Sequence, residues 1–225
     1  MATYEAAVIL PAYVACNVIQ DTSETISTTL RDNAVVVLNQ LLSSNSAERL
    51  MAYAVYHQSF TPIAGTKTYT LGTGGTFVST VRPVAVTGWK STSGAFERGG
   101  EPVSFDVLRQ RQKNDTGRGS VLPEMIAADQ LYPSINIEIF PVPATSPGTL
   151  VLDYWGALTA VAYTDTVTVP DGWERYLTYG LARELSVRYP MGGEGRQELD
   201  RLWQESKSII TARVAAILAP PQVAA

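Results

Sequence analysis

The order of hydrophobic patterns along the chain constrains its fold most, because helical and strand periodicities occupy separate stretches. Apolar residues recur at helical spacing over residues 24–43, which predicts an amphipathic helix. From Phe60 to Val169 short β-type runs alternate with clusters of Gly, Pro, Ser and Thr. Helical spacing then returns and continues to Leu218. The sequence therefore predicts an α+β protein in which the N- and C-terminal segments form a small helical bundle with an inserted antiparallel β domain.

The same pattern divides the chain into four parts. Residues 1–50 are predicted to form an N-terminal helical segment, and residues 51–170 an antiparallel β domain that contains a short helix. Residues 171–218 are predicted to form a helical hairpin that packs on the N-terminal helix. Residues 219–225 form a C-terminal tail.

Two neighbouring runs in the β region predict a pair of half-buried strands. In SINIEIF the isoleucines alternate with Ser134, Asn136 and Glu138, so these three polar side chains are expected in solvent. The run TLVLDYW repeats the alternation, and the turn-forming stretch VPATSPG joins the two runs. This arrangement favours an antiparallel hairpin between them.

The stretch PDGWERYLTYGLARELSVRY mixes aromatic and charged side chains, which could line a cleft, fill a core or contact another copy. Asp171 and Glu174 are spaced like a capping box, which predicts the start of a helix there. One side of this helix carries an apolar stripe of Trp173, Tyr176, Leu177, Gly180, Leu181 and Leu185. A stripe at this spacing predicts core packing against the other helices.

Composition excludes several classes of function. The net charge of −4 is too weak and of the wrong sign for a groove that binds nucleic acid by counterion release. The single cysteine, Cys16, cannot form an internal disulfide or a cysteine metal cluster. Apolar runs are too short to cross a bilayer, so no membrane partner is predicted.

The candidates for chemistry are few. His57 is the single histidine, so we expect a structural or surface histidine and no metal site. The glycine-rich LGTGGT lacks the lysine of a phosphate-binding loop, and a turn between strands explains it better. No cofactor is predicted.

Paired carboxylates leave one enzymatic alternative open. Glu124 with Asp129, or Glu138 with Asp153, could serve acid and base roles in a carbohydrate-acting module. In a carbohydrate-binding module, Trp89 and Trp155 would be the relevant residues. Solvated surface charges explain the carboxylates at least as well.

One basic cluster is a candidate partner-binding site. It consists of Arg109, Arg111, Lys113 and Arg118 within and after a helix predicted at about residues 104–113. These cations could contact DNA phosphates or an acidic protein. The favoured interpretation is an exposed helix face balanced by Asp106 and Asp115.

Several segments occur in a characteristic order over residues 34–210. They are LNQLLSSNSAERLMAYAV, FTPIAGTKTYTLGTGG, RPVAV, INIEIFPVP, TLVLDYWGAL and TVTVPDGWERYLTYGLARELSVRYP. In this order they resemble the packaged-DNA stabilisation family of head-to-tail adaptor proteins, or tail accessory factors, of tailed bacteriophages. Two features depart from that family: the first thirty residues lack a well-patterned initial helix, and the tail after Leu218 is short.

The resemblance implies a virion structural protein and not an enzyme. It implies a ring of about twelve copies beneath the portal protein, at the head-tail junction, assembled from subunits made in the host cytoplasm. Such a ring extends the DNA channel and retains the packaged genome. It lies close to the duplex DNA in the channel without recognising its sequence, and it offers a platform for tail hub or nozzle proteins. Another structural protein of the neck or tail remains an alternative. Pro220, Pro221 and Val223 are predicted to order on docking to the portal.

Overall fold

The structure, a computed structural model, describes residues 2–47, 54–79, 81–94, 96–114, 122–129, 131, 133–144 and 148–218. The chain divides into two compact units, one made of Met1–Tyr53 with Thr159–Ala225 and the other of Ala54–Leu158. The first unit is helical and the second is built on β sheets, which confirms the α+β class. The β unit ends at Leu158, whereas the sequence placed that boundary at residue 170.

The helices and strands follow the predicted order. The helices are a π-helical turn Glu5–Ile9 that continues into α1 (Leu10–Ala15), then α2 (Thr28–Ala47), α3 (Phe105–Asn114), α4 (Trp173–Leu185) and α5 (Gly193–Leu218). The strands are β1 (Val55–Phe60), β2 (Thr68–Gly72), β3 (Phe77–Val78), β4 (Pro83–Ser93), β5 (Phe96–Gly100), β6 (Met125–Ala128), β7 (Ile135–Phe140) and β8 (Thr149–Gly156).

Helix α4 lies at the centre of the helical unit, where it packs against the N-terminal helix, α2 and α5. Its predicted apolar stripe is buried, which confirms the core interpretation of Trp173, Tyr176, Leu177, Gly180, Leu181 and Leu185. The Trp173 and Tyr176 rings pack edge to face with centroids 5.8 Å apart. Burying each of these aromatic side chains stabilises the unit by about 2–3 kcal/mol at the usual area coefficient.

The N-terminal segment forms a helix that the sequence prediction missed. Val8, Ile9, Ala12 and Tyr13 have no exposed surface, and their spacing is helical. Pro11 lies where the π-helical turn passes into α1, a junction that accommodates a residue without an N–H group.

Two predicted helix starts differ from the observed ones. Helix α4 begins after Gly172, which has a left-handed φ of 88° and no side-chain capping hydrogen bond, so the predicted Asp171–Glu174 capping box is wrong. Helix α2 begins four residues later than predicted, at Thr28. The Leu30 amide donates to the Ser27 side-chain oxygen at 3.3 Å, which satisfies one free N–H group of the first turn.

The β unit contains two four-stranded sheets, with strand orders β1-β8-β4-β5 and β3-β2-β7-β6. All neighbours pair antiparallel except β2 and β3, which pair parallel after the turn predicted for the glycine-rich stretch. One hydrophobic core takes side chains from both sheets: Tyr69, Leu71, Phe77, Ile126, Ile135, Ile137 and Ile139 from one, and Val86, Trp89, Leu150, Leu152 and Tyr154 from the other. The two sheets therefore form a sandwich.

The predicted hairpin between β7 and β8 is wrong. Strand β7 lies between β2 and β6, whereas β8 lies between β1 and β4 in the other sheet. Each strand alternates as predicted over its apolar positions, but each has two other partners. Residues 141–148 separate them, a length sufficient to cross between sheets about 10 Å apart.

Helix α3 covers part of the second face of the sheet that contains β7. Leu108 is fully buried against Ala127 and Phe140 in a small separate cluster. Glu138, predicted to be in solvent, is 9% exposed in this region. The prediction was wrong for this residue because the sequence does not reveal that a helix covers the polar side of the strand.

Candidate partner-binding surfaces

The residues first considered for catalysis have structural partners. His57 lies exposed on β1, and its Nδ1 is 2.6 Å from Oδ1 of Asp153 on the neighbouring strand. This confirms a surface histidine. No group of three His, Cys, Asp or Glu side chains that could hold a metal ion is found among the described residues.

The candidate carboxylate pairs are also engaged elsewhere. Glu124 accepts a 2.6 Å hydrogen bond from Arg98, and Asp129 accepts from the backbone and side-chain amides of Asn136, each at 2.8 Å. Glu138 and Asp153 lie on strands of different sheets. These contacts account for the carboxylates without a carbohydrate-acting site.

Helix α3 divides the basic cluster between two flanks. At about 100° per residue, Arg109 and Lys113 share one flank and Arg111 lies on the other, beside Val107. The Arg109 guanidinium stacks at 5.8 Å over the Phe105 ring. All three cations are exposed, but they form two small patches and not a single stripe.

The buried side of α3 is fixed by an ionic network around Glu138. Its Oε1 accepts hydrogen bonds from Gln112 at 2.9 Å and from Lys67 at 3.2 Å. Burial alone would raise the pKa of Glu138, but these hydrogen bonds and the charges of Lys67 and Arg109 together hold that pKa below its ordinary value. Arg109 thus contributes to the folded β unit, whereas Arg111 and Lys113 have no ion pair among the described residues.

Four of the predicted partner-binding residues cannot be placed. Arg118, Pro220, Pro221 and Val223 lie outside the described residues. Their assignment stays a prediction from the sequence.

A groove of 380 Å³ lies between α2, α4 and α5 in the helical unit. Its lining consists of Val37, Gln40, Leu41, Ser44 and Asn45 from α2, Tyr176, Arg183 and Glu184 from α4, and Trp203 and Lys207 from α5. Gly180 lies at the contact of these helices, since an added Cβ would be 2.9 Å from Leu41 Cδ2 and 3.4 Å from Trp203 Nε1.

Two residues that line the groove each have a buried polar atom without a hydrogen-bond partner. Asn45 is 2% exposed, and its Oδ1 accepts from the Tyr176 hydroxyl at 2.7 Å while its Nδ2 has no partner. The indole Nε1 of Trp203 is likewise buried and unpaired. Cations flank this ring, with the Arg183 guanidinium 4.2 Å and the Lys207 ammonium 5.2 Å from its centroid.

The sequence prediction missed this groove. Helical spacing in the sequence puts Trp203 on the apolar stripe of the last helix, and Asn45 belongs to the polar stretch SSNS. Periodicity places a residue on a helix face. Periodicity does not show that three helices leave a gap at one point.

The β unit thus carries small basic patches on α3, and the helical unit carries the groove between α2, α4 and α5. A sequence model of the SU10 adaptor protein family matches residues 14–219. The chain therefore belongs to the SU10 adaptor protein family, a family of phage head-to-tail adaptors, and is a phage structural protein. The match includes the whole range of the resemblance found in the sequence, which is confirmed.

A search of curated proteins finds no relative that matches the chain. Among the helices of the described residues, none has the length and apolar character needed to cross a membrane.

Proposed function

We propose that copies of this protein form a closed ring of about twelve subunits beneath the phage portal, which extends the DNA channel and retains the packaged genome. The ring also provides the attachment platform for tail proteins, at the head-tail junction of the virion, after assembly in the host cytoplasm. The observation that carries this proposal is the family match over residues 14–219.

The physics of a closed ring is compatible with the modest surfaces of this chain. A head-to-tail ring needs two different patches on each subunit, and closure makes weak contacts cooperative. A subunit with a net charge of −4 also suits a DNA channel, because like charge limits adhesion of the passing duplex.

We assign the helical unit and the C-terminal tail to the portal, and the β unit to the tail hub or nozzle proteins. The exposed cations of α3 support the second assignment, because Arg111 and Lys113 are available for acidic groups on a partner. The apolar, proline-containing tail supports the first, since such a segment gains most by burial on a partner.

The proposal is tested by mass measurement in solution with and without purified portal protein. We expect a ring of the chain on the portal, visible by electron microscopy and by light scattering. A chain that stays monomeric and unbound at micromolar portal concentrations would contradict the adaptor role.

Removal of residues 219–225 tests the assignment of the tail. We expect portal binding in a pull-down to fall by roughly tenfold or more, because the deleted segment supplies apolar contact area. The melting temperature of the truncated chain, compared with that of the full chain, is the control for folding. Full retention of portal binding would exclude this role of Pro220, Pro221 and Val223.

A further inference from the structure

We propose that strand β1 of one copy pairs with strand β5 of the next copy, so that their sheets join into one antiparallel sheet across each contact of the ring. The inference rests on the proposed function, because it names the two patches by which neighbouring subunits contact each other. The partner is a second copy of this chain, and backbone hydrogen bonds make the contact.

Strand β1 is an open edge of the sheet β1-β8-β4-β5. The Gly156 amide donates to the Ala54 carbonyl oxygen at 3.0 Å, and this bond sets the alternation of the ladder between β8 and β1. The backbone N–H and C=O groups of Val55, His57 and Ser59 therefore point away from the sheet. Among the described residues these groups have no hydrogen-bond partner, and all three residues are exposed.

Strand β5 is the opposite edge of the same sheet. Each inner strand bonds to its two neighbours through alternate residues, so the alternation set at β1 continues across β8 and β4. It reaches β5 at Phe96, Arg98 and Gly100, which leaves the backbone groups of Glu97 and Gly99 pointing outward. Both residues are exposed, and their outward groups have no hydrogen-bond partner within the described part of the chain.

The two edges are complementary in direction and in face. Antiparallel pairing at every step from β1 to β5 makes these two strands run in opposite directions, so a sheet that continues into the next copy stays antiparallel. Ser59, Val151, Lys90 and Gly99 lie directly opposite one another across the four strands. The residues with outward backbone groups therefore share one face of the sheet at both edges, as pairing between copies requires.

These constraints select one register for the contact. Residues with outward backbone groups must lie opposite each other, and the five residues of β5 must all face residues of β1, which has six. Both conditions are met when Ser59 lies opposite Glu97 and His57 lies opposite Gly99 of the next copy. Each of these pairs exchanges two hydrogen bonds, which gives about four backbone bonds per contact.

The edges of the other sheet are shorter or covered. Strand β3 is two residues long, and the Val103 amide donates to the Ile126 carbonyl oxygen of β6 at 2.8 Å. Strand β1 is six residues long, contains no lysine or proline, and pairs with β8 without a register shift from Val55 to Phe60. A strand without these protective features is a template for another strand, which favours β1 as a contact.

Strand β5 can be covered without desolvating an unpaired charge. Glu97 pairs with Lys90 at 2.8 Å, and Arg98 pairs with Glu124 at 2.6 Å, within the same chain. Gly99 has no side chain that would obstruct the approach of another strand. Because β1 and β5 are different patches, each copy uses both, and the contact repeats from subunit to subunit as a head-to-tail ring requires.

The test is disulfide cross-linking of the double variant Ser59→Cys/Glu97→Cys, assembled on purified portal protein. Opposite residues of a hydrogen-bonded pair have Cα atoms about 5.5 Å apart, which a disulfide can bridge. Within one chain the two strands are three inter-strand spacings apart, about 14 Å, so the same disulfide cannot form inside a subunit. We expect a ladder of covalent oligomers on a non-reducing gel after oxidation.

Three controls define the contact. Wild type, whose single cysteine Cys16 is buried, should give no ladder. Each single variant, Ser59→Cys or Glu97→Cys, should give none either, because its cysteine faces no second cysteine across the contact. Val55→Cys/Glu97→Cys places the first cysteine four residues out of register and should cross-link at least about tenfold less.

A proline variant tests the backbone bonds themselves. Ser59→Pro removes an N–H group that points away from β8, so it should keep the fold and raise the concentration needed for ring assembly by about tenfold or more. Ser59→Ala loses the same hydroxyl but keeps the N–H group, and it should assemble like wild type. The melting temperature shows that both variants are folded.

The edge contact and the adaptor role can fail separately. Rings on the portal without the cross-linked ladder would overturn the edge contact and leave the adaptor role in place. A ladder from the chain alone at high micromolar concentration, without rings on the portal, would support the edge contact and contradict the adaptor role. Covalent dimers from Ser59→Cys alone would mean that β1 pairs with β1 of a second copy, which would also overturn the inference.

Discussion

At the scale of single residues, burial together with specific partners decides what a polar side chain contributes. Glu138 lies 9% exposed between a strand and a helix, and it is stable as a carboxylate because Gln112 and Lys67 donate to it. Its lowered pKa means that folding favours the charged form. This contribution is present above the ordinary value of 4.5 and is lost as the pH falls through the lowered pKa of the folded state.

Glu138→Gln should therefore destabilise the chain at pH 7 by about 1–2 kcal/mol, since the charge-assisted hydrogen bonds become neutral ones. The difference between variant and wild type should shrink as the pH is lowered below 4.5, because the wild-type carboxylate then also becomes protonated. Urea unfolding at pH 7 and in acid measures both effects. Glu97→Gln, at a side chain 58% exposed, is the control and should change stability little. If the difference in unfolding free energy between Glu138→Gln and wild type stays constant over this pH range, the hydrogen-bonding network around Glu138 is contradicted.

At the scale of elements, the sequence predicted which segments are helices and strands better than how they pair. Alternation found β7 and β8 because it reflects a buried face within one strand. Their placement in different sheets depends on partners far along the chain, such as the pairing of β1 with β8, which no local pattern encodes. The prediction that Glu138 is exposed to solvent failed for the same reason, because the helix that covers it, α3, comes from another part of the chain.

The connection from β7 to β8 depends on a glycine that no other residue can replace easily. Gly148 has a φ of 92°, and an added Cβ would overlap the carbonyl oxygen of Thr92 on β4. Gly148→Ala should cost about 2–4 kcal/mol, from the strained backbone and the steric clash together. Gly94→Ala is the matched control: its φ is 59° and its Cβ would meet nothing within 4 Å, so about 1 kcal/mol is expected. Equal losses of unfolding free energy in the two variants would show that the close approach to β4 is absent.

Helix α3 offers a second test at this scale, one that concerns binding and not stability. Arg111→Glu and Lys113→Glu should each weaken attachment of tail proteins by about three- to tenfold, because both cations are exposed and have no ion pair among the described residues. Arg196→Glu, at an exposed arginine on α5, is the control and should leave this attachment unchanged. The measurement is binding of the purified tail hub or nozzle protein to preformed rings. If both charge-reversal variants of α3 bind the tail protein as tightly as wild type does, the exposed face of this helix is an ordinary solvated surface.

At the scale of the whole molecule, the order of the sequence segments and the family match indicate the same class of protein. The segment order already resembled a phage adaptor, and the family match over residues 14–219 agrees with it. The candidate sites were less predictable. The groove around Trp203 needed three packed helices to become visible, and Arg118 with the C-terminal tail lies outside the described residues. The contacts of the proposed ring would join different subunits, so the structure of a single chain does not display them.

The most direct measurement of the central claim is a cryo-electron microscopy map of the complete virion. The adaptor role predicts about twelve copies of the chain around the axis below the portal, with the helical unit toward the portal and the β unit toward the tail. Density for single copies away from that vertex, and none around the channel, would contradict it.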